Sequence, residues 1–255
     1  MLLRLAQGQL NLLTICPRKF QHTVLDQFST PSSPEQQDHI NRGNRFHLLM
    51  QQHELGLSRA LSIDPEEQKL QQCVVNLVQA APDLFAPANL RQSEHRRTLD
   101  WNGYAIATIY DLLILHDTQA QIIDWKTYPR PQKADRLAKN WQTRLYLFVL
   151  AETTDYAPEQ LSMTYWFVEP GKTPESLRFP YNVTLHQQTQ HDLAQILAQL
   201  TEWLKDYDAG DALPQVDERQ GYCQTCPFAV RCQKTKQTTD ILLPFAEIEE
   251  VAIGS

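Results

Sequence analysis

Apolar residues recur along this chain in two periods, and the changes of period mark out its elements. Residues 38–55 and 66–78 carry apolar positions three and four apart, the spacing of one helix face. From 104 to 116 the run YAIATIYDLLILH is dense in β-branched and aromatic side chains and predicts a strand. Residues 122–126 (IIDWK) predict a second strand, joined to the first by the polar turn 116–119. Leu137, Trp141, Leu145 and Val149 recur every fourth residue, which predicts a single helix over 137–152. A further strand is expected at 161–168 and a long amphipathic helix at 186–205. Three polar, proline-bearing stretches, 29–37, 169–180 and 206–220, read as connections. Helices, then a strand hairpin, then helix and strand describe an α/β core behind a helical N-terminal portion.

Composition narrows the class without choosing a function. The chain has 255 residues, 42% of them hydrophobic and 21% charged, which suits one large domain with a sizeable buried core. Apolar runs such as 145–151 fall far short of the roughly 20 residues that span a bilayer. Arg4 interrupts the apolar N-terminus and no small-residue cleavage site follows, so a cytoplasmic protein with no membrane partner is expected. A net charge of −7 argues against wholesale coating of nucleic acid. One segment departs from that average: Lys126, Arg130, Lys133, Arg136, Lys139 and Arg144 stand against Asp135 alone. A charge run is commonly a solvated face; this one gains weight from what it adjoins.

What it adjoins is a carboxylate–lysine pair. Asp124 and Lys126 lie two apart on a strand, so both side chains leave one face while Ile123 and Trp125 take the other. Asp111 interrupts the preceding apolar strand, and a hairpin between the two strands would bring Asp111 and Asp124 together at one end of the sheet. Two carboxylates beside a lysine on apolar strands carry an electrostatic cost that a divalent cation offsets. Hard oxygen ligands suit Mg²⁺ or Mn²⁺, and the lysine would orient a water and balance charge on a phosphate. The tripeptide D-x-K by itself is common and equally describes a surface ion pair. Its companions are Gln142 and Tyr146, an i, i+4 pair on the following helix, and Gly43-x₃-His47, an imidazole on an upstream helix.

The ordered series Gly43-x₃-His47, Glu94, Asp111, Ile122-Ile-Asp-Trp-Lys126-Thr and Gln142-x₃-Tyr146 resembles the motif series of RecB-like nucleases of the PD-(D/E)XK superfamily. The resemblance implies a restriction-endonuclease-like core, a central mixed sheet flanked by helices, within one nuclease domain over residues 1–255. A helical insertion would occupy about 38–90, the core about 91–205, a cysteine segment about 206–237 and a tail 238–255. It implies His47, Asp111 and Asp124 as metal ligands, Lys126 as the catalytic lysine with Asp111 and Asp124, and Gln142 and Tyr146 as DNA contacts. Glu94 matches by position, as a possible further site residue. Arg130, Lys133 and Lys139 of the basic strip are candidate DNA-binding residues, with aromatic neighbours that could stack bases.

Five cysteines without a secretory signal point to metal or redox chemistry rather than disulfides. Cys223-x₂-Cys226-x₅-Cys232 offers three thiols in ten residues, and Cys16 is the candidate for a fourth; Cys73, among Val74, Val75 and Leu77, reads as a core thiol. Four cysteines serve Zn²⁺ as well as an iron–sulfur cluster. The one-plus-three arrangement resembles the iron–sulfur members of the same superfamily, the AddB-type and CRISPR-associated four-cysteine nucleases, which implies a 4Fe–4S cluster.

The leading expectation is a metal-dependent DNA nuclease, an exonuclease on single-stranded ends, in DNA repair, recombination or CRISPR adaptation. A catalytically silent DNA-binding or scaffold module of the same fold is the alternative, and an iron–sulfur redox protein a third, which leaves the carboxylate–lysine set unexplained. No G-x₄-G-K-[S/T] motif occurs, so unwinding would come from a separate helicase or other repair protein.

Overall fold

The structure, a computed structural model, describes residues 3–57 and 62–234. The tail at 238–255, open to reading as a packed extension or a docking segment, lies outside the described residues.

Six strands make one mixed sheet: β1 (Arg4–Leu5), β2 (Leu90–Trp101), β3 (Tyr104–Leu115), β4 (Ala120–Lys126), β5 (Leu161–Phe167) and β6 (Glu175–Pro180). β2, β3 and β4 pair antiparallel in sequence, β5 runs parallel to β4, and β6 returns antiparallel beside β5. β1 runs parallel to the start of β3. The parallel β4–β5 pair needs a crossover. Two helices supply it, α5 (Ala134–Lys139) and α6 (Trp141–Glu152).

Helices cover both faces. α3 (Pro34–Glu54) and α4 (Pro65–Ala80) bury Phe46, Met50, Val74 and Leu77 against Leu112, Ile123 and Trp125. On the opposite face α6 lies between the sheet and a layer made by α1 (Gln7–Ile15) and α7 (Val183–Asp208), so it is apolar almost all round. α2 (Pro17–Phe20) follows α1 directly. Among the described residues no helix is long and apolar enough to cross a membrane.

Three sequence expectations need correction. The single helix over 137–152 is two helices. Asn140 is extended (φ −66, ψ 144) and its side chain accepts from Gln142 N, so a residue type that favours N-caps starts a new helix there. The stretch 169–180, read as a connection, contains β6. The whole of β2 was missed because its residues, LRQSEHRRTLDW, are mostly polar and none is fully buried. The turn after it carried a signal: Asn102 (φ 48) and Gly103 (φ 83) form a two-residue turn with both central residues left-handed, for which Asn-Gly is the favoured pair.

Candidate active site

The site begins with a fault in the sheet. Ladder pairs between β2 and β3 run from Leu90↔Leu115 to Trp101↔Tyr104 but skip the level where Glu94 and Asp111 stand opposite each other. Glu94 there has a φ of 51, a left-handed conformation costing an ordinary residue about 1 kcal/mol or more. The alternation of faces reverses across this level. Before it, Tyr104, Ile106 and Tyr110 pack on the α6 side; after it, Leu112 and Ile114 pack on α3 and α4. The fault brings Glu94 and Asp111 to His47 on α3, and one ligand atom from each of the three lies within 4.8 Å of the others.

A single backbone unit orients two of the three. The β3–β4 ladder ends at Leu112↔Ile123, one pair short of Asp111 and Asp124. The N–H of Trp125 instead donates to Asp111 Oδ2 at 2.7 Å, so the carboxylate takes the place of a ladder carbonyl. The carbonyl of the same residue lies 3.0 Å from His47 Nε2. A carbonyl only accepts, so Nε2 carries the proton, and in the neutral ring Nδ1 is the acceptor nitrogen. That nitrogen faces Asp111 Oδ1 at 3.5 Å.

Asp124 and Lys126 share the α6 face, as their spacing requires, and both are nearly sealed from solvent, at 2% and 5% side-chain exposure. Lys126 Nζ is 2.8 Å from Asp124 Oδ1, and Gln142 Nε2 donates to Asp124 Oδ2 at 2.6 Å. Asp124 therefore stands outside the His47–Glu94–Asp111 group, tied to the lysine and the glutamine. Gln142 reaches it as the second residue of α6, whose start Asn140 fixes. Tyr146, expected to contact DNA, is 3% exposed, and its ring packs edge-on against Tyr110. Burial, with the charges of Asp124 and Asp111, pushes its hydroxyl well above the ordinary tyrosine range, so it stays neutral. Burial also raises the Glu94 carboxyl; Asp124 adds to the effect, while His47 and Arg96 oppose it. Two carboxylates and an imidazole acceptor fit a divalent cation.

From Lys126 and Gln142 a cleft of about 570 Å³ continues past Tyr128 and Arg136 to Cys16, Cys223, Cys226 and Cys232. The structure thus gathers all four cysteines of the one-plus-three set. Hydrogen bonds join the two distant segments: Arg18 N to Pro214 O (3.0 Å), Arg18 Nε to Leu213 O (2.6 Å) and Leu213 N to Gln21 Oε1 (2.9 Å). Burial raises the thiols of Cys223 and Cys232, and the neighbouring cysteines add to it in both cases. Cys73 sits apart, in the core between α4 and the sheet. In the basic strip Lys133 and Lys139 are exposed, while Arg130 pairs with Glu175 at 3.3 Å.

Residues 4–233 match the family described as the PD-(D/E)XK nuclease superfamily. No curated protein matches the chain in sequence. Among solved structures, a candidate exonuclease from Eubacterium rectale superposes with a TM-score of 0.56 at 9% identity, over 92% of this chain and 90% of that one. A protein named SSO0001 aligns at 16% identity over 83% of this chain and 92% of its own, with a TM-score of 0.35. The first likeness is one of fold; the second carries no argument.

Proposed function

This chain belongs to the PD-(D/E)XK nuclease superfamily, and from that premise we propose that it is a divalent-metal-dependent deoxyribonuclease of RecB-like type, hydrolysing phosphodiester bonds from single-stranded ends. The observation that carries this reading is the meeting of His47, Glu94 and Asp111 beside the buried Asp124–Lys126 pair. The first three are the side chains that would hold the cation, with Asp124 able to join them. A bound Mg²⁺ or Mn²⁺ would activate water and stabilise charge on the phosphate. The chain's own groups do the rest. The backbone N–H and carbonyl of Trp125 hold Asp111 and His47 in orientation, Gln142 holds Asp124, and Lys126 would present a positive charge where the phosphate gains negative charge. The cleft beside Lys126 and Gln142 is also lined by Tyr128 and Arg136, a ring and a cation of the kind that hold a single strand. Work in repair, recombination or CRISPR adaptation, with unwinding by a separate helicase, follows from the RecB-like resemblance.

At the far end of the cleft we propose a 4Fe–4S cluster on Cys16, Cys223, Cys226 and Cys232, joining the N-terminal helices to the C-terminal segment. Support comes from the four thiols lining one cleft and acting on one another's ionisation. Zn²⁺ is the competing occupant, and iron and sulfide analysis separates the two.

The nuclease reading is tested with end-labelled single-stranded DNA and Mn²⁺. Wild type should shorten it; Asp111→Asn, checked for folding by circular dichroism, should not, and Lys126→Ala should lose roughly 10²–10³ in rate. Failure of the metal-loaded wild type to cut any end geometry would leave a DNA-binding module instead.

A further inference from the structure

We propose that His22 is a positioning residue of the cysteine site, holding the Cys232 thiolate by an N–H···S hydrogen bond and raising the reduction potential of the cluster. The inference rests on the cluster reading above. His22 is 4% exposed and lies between the rings of Phe28 and Phe228, at centroid distances of 5.9 and 5.1 Å. It sits in a π-helical turn, Gln21–Leu25, a rare widening of the helix that recurs at functional positions.

Its two nitrogens face different partners. Nδ1 is 2.9 Å from Asp26 Oδ2, and Nε2 is 3.7 Å from Cys232 Sγ. The other oxygen of Asp26 accepts from Tyr207 at 2.8 Å, and Gln21 Nε2 donates to Oδ2 at 3.4 Å. A carboxylate that already accepts from Tyr207 and Gln21 anchors the ring through Nδ1. The ring is thereby locked with Nε2 toward the sulfur. A cysteine that ligates metal is a thiolate, which offers lone pairs and no proton. The partner that satisfies it is an N–H, and Nε2 is the ring atom that faces the sulfur. Hydrogen bonds to ligand sulfurs draw electron density from them and favour the reduced cluster. The core needs no histidine there: an apolar side chain would fill the space between two phenylalanines with less desolvation cost.

The test uses the full chain purified without oxygen, assayed for iron and sulfide and then titrated against redox mediators. His22→Phe should keep its iron but shift the oxidised-to-reduced ratio at the wild-type midpoint about tenfold toward oxidised, equivalent to about 59 mV for one electron. His22→Gln, whose amide N–H can reach the position of Nε2, should recover part of that shift, and Asp26→Asn should fall between. If His22→Phe fails to fold, the Gln and Asn variants decide on the same readout. Iron-replete variants with the wild-type potential would overturn the role of His22 alone. Iron-free wild-type protein would overturn the cluster reading and this inference with it.

Discussion

Glu94 concentrates the conflict between stability and chemistry at the scale of the residue. Its backbone is left-handed and its carboxyl is half-buried within reach of the Asp124 charge. Because burial raises its pKa, the metal-free folded protein disfavours the ionised form relative to the unfolded chain. The penalty for ionising Glu94 is absent at pH below the ordinary carboxylate range and is fully present once pH has risen past the raised value. At neutral pH, Glu94→Gln should therefore raise the stability of the metal-free protein by about 1 kcal/mol, or roughly 2–4 °C in Tm for a chain of this size. Activity should fall at the same time, because a carboxylate is lost from the His47 group. Divalent metal should raise the Tm of the wild type more than that of the variant. Calorimetry with and without Mn²⁺ reads both effects, and a variant no more stable than wild type would show that the carboxyl is already compensated in the metal-free state.

Among the elements, the crossover from β4 to α6 brings the most candidate site residues together in the shortest stretch. The end of β4 presents Asp124 and Lys126, the loop and α5 present exposed cations, and Asn140 starts α6 so that Gln142 reaches Asp124. Asn140→Ala removes the cap and should cost about 1 kcal/mol in urea unfolding. It should also lower kcat, since the first turn of α6 is what sets Gln142. An unchanged kcat in a destabilised variant would mean that packing alone fixes Gln142. The exposed cations make a separate prediction about binding. Affinity for single-stranded DNA should fall with salt at about −0.7 in log–log slope per phosphate contact, and neutralising Arg130, Lys133 and Lys139 together should flatten that slope by up to about 2. An unaltered slope would place the strand elsewhere.

For the whole molecule, the cysteine site joins chain segments about two hundred residues apart, reinforced by the hydrogen bonds of Arg18 and Gln21 to Leu213 and Pro214. Metal held there, as proposed, would stabilise the fold directly. Cys16→Ser should therefore lose metal and lower Tm, whereas Cys73→Ser, in a different core, should keep its metal; equal metal loss in both would sink the assignment of Cys16. The sequence by itself determined what depends on local period and residue type. The β3–β4 hairpin, the shared face of Asp124 and Lys126, and the helices around His47 and at 186–205 are all of this kind, because alternation and i, i+4 spacing act within a few residues. Only the tertiary structure decided that Glu94 joins His47 and Asp111, that Tyr146 faces inward, that the charged β2 is a strand, and that His22 faces Cys232. Glu94 depends on a left-handed φ at a level that the β2–β3 ladder skips, and β2 on a partner strand that compensates for weak propensity. His22 depends on a contact spanning 210 residues, a separation that no local pattern encodes.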